Sequence, residues 1–184
     1  MSASMTTNGF GWPQAIQALF CLLTLLLLAG CPYESREPLS APAGAAIDGK
    51  LLGRWKLKDK ENKEVGFLTI SRFNDTEVLI VIEEEGKKTP DTMRGFVTDV
   101  NGRKFLNVQE MRGAYEDRKW MFVSYTTGGC SLTFRVVNDS LVPSGGDRGL
   151  TSRQMFESIR KNIGNKNIYD EATSLTCAGR ECTD

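Results

Sequence analysis

The chain reads as mainly β: an antiparallel meander closing into a small barrel, or a half-open one, with a single C-terminal helix. Three observations predict it. Apolar runs of strand length begin at Leu51 and recur about every 8–12 residues. The breaks between them are short and rich in Gly, Asn and Asp, so strands adjacent in sequence should pair antiparallel. Only one segment, 151–163, changes to helical spacing.

The N-terminal part needs its own account. Ala15–Ala29 is an apolar run of 15 residues, short of the ~20 needed to cross a bilayer as a helix. It ends in Leu28-Ala29-Gly30-Cys31, which closely resembles a bacterial lipobox. That resemblance implies recognition through Leu28, Ala29 and Gly30, a thioether-linked diacylglyceryl group on Cys31, and cleavage just before it. The small residues let the chain lie extended in a peptidase cleft. An uncleaved transmembrane anchor, a buried helix and a plain secretory signal are the competing readings; none of them needs a cysteine at this position. Met1–Gln14 has no Lys or Arg, so the usual positive start of such a signal is reduced to the amino terminus. Pro32 stands where the best-known inner-membrane retention signal has Asp, and the expected location is the outer membrane, facing the periplasm. Residues 1–30 are thus expected to be a signal peptide. Residues 31–49, with Pro32, Pro38, Pro42, Gly44 and Gly49, read as a lipidated tether. As a flexible coil its 18 residues after Cys31 would span roughly 23 Å.

Residues 50–172 carry the barrel-like domain. Trp55 and Leu57 alternate with Arg54, Lys56 and Lys58, the mark of a strand with one buried face. Gly66–Ile70 and Val78–Ile82 follow across a turn at Asn74-Asp75. Glu83–Lys88 reads as a solvated hairpin tip. Phe96–Val100 and Arg103–Val108 flank Asn101-Gly102, the strongest two-residue hairpin signal. Trp120–Tyr125 and Cys130–Val136 flank Thr126–Gly129. The second of these strands puts Cys130 on an apolar face with Leu132, Phe134 and Val136, where a buried inert thiol is the simple reading.

The helix is well punctuated. Thr151 and Gln154 fit a capping box, Leu150 and Met155 a hydrophobic staple. Met155, Phe156, Ile159 and Ile163 form one apolar stripe, and Gly164 ends it. Arg160 and Lys161 suit the negative end of the helix dipole. This face should dock on the sheet, closing one end of the barrel or covering an open edge. Ile168-Tyr169 could add a last short strand. Residues 173–184 then read as a dispensable Cys-bearing tail.

Composition narrows the function. Lys plus Arg equals Asp plus Glu at 23 each, which argues against a nucleic-acid partner needing a basic face. There is no His, so the commonest general base and metal ligand are missing, and no metal or cofactor is expected. Of five cysteines, Cys21 leaves with the signal and Cys31 takes the lipid. Cys177 and Cys182, with Gly179 easing the loop between them, are the first choice for a disulfide; pairings that use Cys130 stay open.

Leu52-Gly53-Arg54-Trp55 resembles the Gly-x-Trp opening of lipocalins and other calycin barrels. In that superfamily the Trp plugs the closed end and packs under an arginine from late in the chain. The resemblance makes Gly53 and Trp55 structural residues of a calycin-like barrel. With Lys104–Val108 and the late helix, the wider pattern is similar to small lipoproteins with lipocalin-like barrels. The expected function is a membrane-anchored, non-enzymatic binding module that takes a hydrophobic small molecule into the barrel, unless the interior is filled by its own side chains. The alternative is an accessory subunit docking on an envelope protein through a strand edge or the helix. An enzyme would have to be built from Cys130, the acids Glu110, Glu116 and Asp117, and Tyr115. Without His these lack a partner base, and no enzymatic activity is expected.

Overall fold

Alternation along most of the strands decides the architecture, because they carry apolar side chains at every second position and have to bury them. A computed structural model of the chain describes residues 32–59, 61–141 and 149–179, all within one compact unit, Pro32–Asp184. Among them are β1 (Gly53–Lys58), β2 (Glu64–Arg72), β3 (Val78–Glu84), β4 (Asp91–Val100), β5 (Arg103–Glu110), β6 (Trp120–Gly128), β7 (Ser131–Val136) and β8 (Thr173–Cys177). They pair antiparallel in that order, and β8 returns to β1 to close a barrel. The mainly β, closed-barrel expectation is met, with α1 (Ser152–Asn162) as the single α-helix of the described residues.

Register fixes which side chains point inward. Trp55 faces Leu68, Leu68 faces Ile82, Leu132 faces Leu175, and Trp55 faces Cys177 across the closing seam. The inward set of Trp55, Leu68, Ile70, Ile80, Leu106, Val108, Tyr125, Leu132 and Leu175 is at most 9% exposed. The barrel is therefore filled by its own side chains, as small eight-stranded barrels are. Gly53 begins β1 at φ 143°, which side-chain-bearing residues rarely adopt. Asn101 and Gly102 turn β4 into β5 at φ 53° and 79°, the left-handed pair a type I′ hairpin requires. The Asp99 carboxylate accepts the Gly102 N–H at 2.7 Å.

A second core lies on the outside of β4–β6. Phe96, Val100, Phe105, Trp120 and Phe122 point away from the interior and pack under Met155 and Ile159 of α1 and under Leu39. Thr151 and Gln154 do form the capping box, and Leu150 packs with this cluster. The helix thus covers a wall of the barrel; it closes neither an end nor an edge. With both faces covered, β5 is buried from Phe105 to Gln109.

Four local readings change. Residues 32–49 are no loose tether. Tyr33 N–H donates to Val137 O at 2.9 Å, Ser35 and Trp120 exchange both backbone bonds at 2.9 and 2.7 Å, and Leu39 is 2% exposed. Asn107, fully buried, holds this strap with its side chain. Its Oδ1 accepts Leu39 N–H at 2.8 Å, and its Nδ2 donates to Phe96 O and Thr98 Oγ1 at 3.1 and 2.8 Å. Order arises here from long-range hydrogen bonds rather than from apolar period. Second, 173–177 is a barrel strand rather than tail, while Ile168 ends a 3-10 turn, Lys166–Ile168, and Tyr169 makes one bridge to Val137.

The other two changes concern cysteine. Cys177 carries a free thiol, which corrects the expected bond to Cys182; Cys182 itself lies outside the described residues. Its neighbour across the seam, Cys130, whose carbonyl accepts Cys177 N–H at 3.0 Å, is instead disulfide-bonded. Cys130 also sits in the β6–β7 turn, ahead of β7, and not within a strand. Leu28, Ala29, Gly30 and Cys31 lie outside the described residues as well.

Candidate functional site at the open end of the barrel

The two ends of the barrel are built differently, and the difference follows from the connections. One end carries the tight turns β2–β3, β4–β5 and β6–β7 together with the segment that leads into β1. There Leu51, 1% exposed, sits beneath Trp55, whose Nε1–H donates to the Leu51 carbonyl at 3.0 Å. Trp55 is thus buried toward this end, and its polar atom is satisfied by a backbone carbonyl.

Asp48 latches this end. Its carboxylate takes Lys104 Nζ at 2.6 Å, the Tyr125 hydroxyl at 3.1 Å and the Lys50 N–H at 3.1 Å. Burial alone would push the Asp48 carboxyl up; the bonds from Lys104, Lys50 and Tyr125 outweigh it and hold the pKa below the ordinary 3.8. Burial, and then Asp48 beside it, push the Tyr125 hydroxyl far up, so it stays a donor. A carboxyl with a lowered folded pKa stabilises above its unfolded value and loses that share as pH falls through the folded one. Asp48→Asn should therefore cost about 1–2 kcal/mol at neutral pH, discounted for the half-exposed Lys104. The gap to the parent should close as pH drops below 3.8. Melts at neutral and strongly acid pH check this; a gap of constant size would show that the ionised latch contributes nothing.

The opposite end carries the loops 59–63, 85–90 and 111–119. Inward-pointing Leu57, Ile82, Met93, Met121 and Phe134 are only partly buried here. Charges ring the mouth: Lys56 pairs with Glu64 at 2.8 Å, Arg112 with Asp91 at 3.2 Å, and Lys87 with Asp91. Beside Met121 lies a cleft of about 230 Å³ lined by Glu34, Glu110, Arg112, Arg118 and Lys119. Lys119 reaches Glu34 at 2.8 Å, which ties the strap to the β5–β6 loop. Arg118 donates to Gly113 O at 3.2 Å, while its buried Nε has no hydrogen-bond partner.

The residues weighed for an enzyme are split between the two ends. Tyr115, Glu116 and Asp117 form a 3-10 turn at the open end with no buried member, and exposed Glu110 is near them. Cys130 belongs to the β6–β7 turn at the closed end. Among the described residues no group of three His, Cys, Asp or Glu is placed to hold a metal. The mouth combines partly buried apolar side chains with ion pairs around them. Sequence reasoning passed over Met93, Met121 and Arg118; the period-2 position of both methionines was the available signal. The chain matches no protein-family model, no curated protein and no solved structure.

Proposed function

We propose that this protein is a lipoprotein of the bacterial cell envelope, anchored through Cys31 in the outer membrane and facing the periplasm. It works there as a non-enzymatic binding module whose binding surface is the open end of the barrel. One observation carries the reading: the interior is packed, while the inward-pointing Leu57, Ile82, Met93, Met121 and Phe134 toward the open end are only partly buried. A hydrophobic or amphipathic ligand would rest in that mouth and could not pass into the barrel. Docking of an envelope protein along a strand has less support, since closure through β8 leaves no edge strand among the described residues. The helix is equally committed, with Met155 and Ile159 buried against the wall.

The anchor and the mouth are tested together. Cys31→Ala should release the protein from the membrane fraction or stall its processing, whereas Met121→Lys should stay membrane-bound, melt near the parent and lose binding of an apolar fluorescent probe. Mass spectrometry finding Met1 retained and Cys31 unmodified in cells would overturn the anchor. Unchanged probe binding by Met121→Lys would overturn the mouth.

A further inference from the structure

The strap determines where a membrane anchor would meet the barrel. Pro32 bridges Asn138, Tyr33 bonds to Val137, and Ser35 pairs with Trp120. Val137 and Asn138 directly follow β7, and Trp120 starts β6, so all three partners stand at the open end. From there the strap runs along the outer wall, past Asn107 in the middle of β5, to Asp48 at the closed end. Pro32, the first described residue, is thus held at the open rim. Acyl chains carried on Cys31, if buried in a bilayer, would hold this rim at the headgroups.

The rim has the chemistry for that position. Tyr115, on the β5–β6 loop, is 65% exposed; among the described residues the other exposed large hydrophobic side chain is Phe73 at 47%, in the β2–β3 turn of the far end. An exposed Tyr presents an apolar ring with a polar tip, the combination favoured at a membrane–water interface. Lys87 and Arg112 share the Asp91 carboxylate, and Lys119 pairs with Glu34. Cations and carboxylates are interspersed on this rim, a mixed charge that fits a zwitterionic surface.

We infer that the open end of the barrel is a membrane-docking face: it lies on the phospholipid surface with the Tyr115 loop in the interface and the mouth turned toward the lipid. This rests on the proposed lipidation of Cys31. The ligand surface of the module is then supplied from the bilayer side and not from free solution.

The experiment uses the full lipidated protein in phosphatidylcholine vesicles whose acyl chains are brominated near the headgroup. Tyr115→Trp and Phe73→Trp are compared with the parent, whose buried Trp55 and Trp120 give the common background. The expected result is membrane-bound protein in both cases, with the added emission lost to bromine for Tyr115→Trp and retained for Phe73→Trp. Bound protein in which both variants are quenched, neither is, or only Phe73→Trp is, overturns the docking face and leaves the anchor standing. Protein that stays in the aqueous phase overturns the anchor, and the docking face with it.

Discussion

A chain ended at Glu171 is expected to lose the folded monomer. The cut removes β8, which fills the seam between β7 and β1. It takes away four paired positions on β7, from Ser131↔Thr176 to Phe134↔Thr173, and two on β1. Leu175, 1% exposed, leaves the interior, so Leu132 loses its cross-strand partner and Trp55 loses part of its cover. Two bare edges then face solvent, and unpaired edges template aggregation. Leu175→Ala is the graded version: it keeps the backbone ladder, leaves a cavity, and should cost about 2–5 kcal/mol. Size-exclusion chromatography and thermal melts of the two proteins decide the matter. If the truncated chain elutes as a monomer and melts near the parent, β8 is an appendage and the barrel closes without it.

That strand was hidden from sequence reading for a physical reason. Thr173-Ser174-Leu175-Thr176-Cys177 turns a single large apolar side chain inward, too few to establish a period of two, and its order comes from ladders on both sides. The strap was hidden in the same way. Pro- and Gly-rich composition reads as loose chain, yet one backbone N–H, that of Leu39, is captured by a side chain 68 positions away. Asn107 gave no warning, since a polar residue between Leu106 and Val108 resembles the solvent face of an ordinary strand. Signals that need no distant partner were legible. Asn101-Gly102 fixed the β4–β5 hairpin within its own two residues, and Thr151 with Gln154 marked the helix start. The candidate mouth lies between these cases. Met93 and Met121 have the right parity, but their partial exposure depends on which end is plugged, and the plug is made by Asp48–Leu51.

Trp55→Ala should be the most damaging single substitution. The indole is 1% exposed and stands where β1 pairs with both β2 and β8, opposite Leu68 and Cys177. Removing it leaves a cavity at the narrow end of a closed barrel, whose hydrogen-bonded wall cannot easily collapse inward, and the cost should be about 3–5 kcal/mol. The substitution also strips the buried Leu51 carbonyl of its donor, so the turn that seals the barrel loses its tie to β1. Trp55→Phe separates the two effects. It keeps most of the apolar volume and loses the N–H, and should cost about 1–3 kcal/mol, the range for an unsatisfied buried polar group. Denaturant titrations of the three proteins measure both steps. An alanine variant that unfolds with the parent would place the ring outside the core and remove the seal from the closed end. Equal losses for Phe and Ala would show that the hydrogen bond to Leu51, and not the packing of the ring, holds that end together.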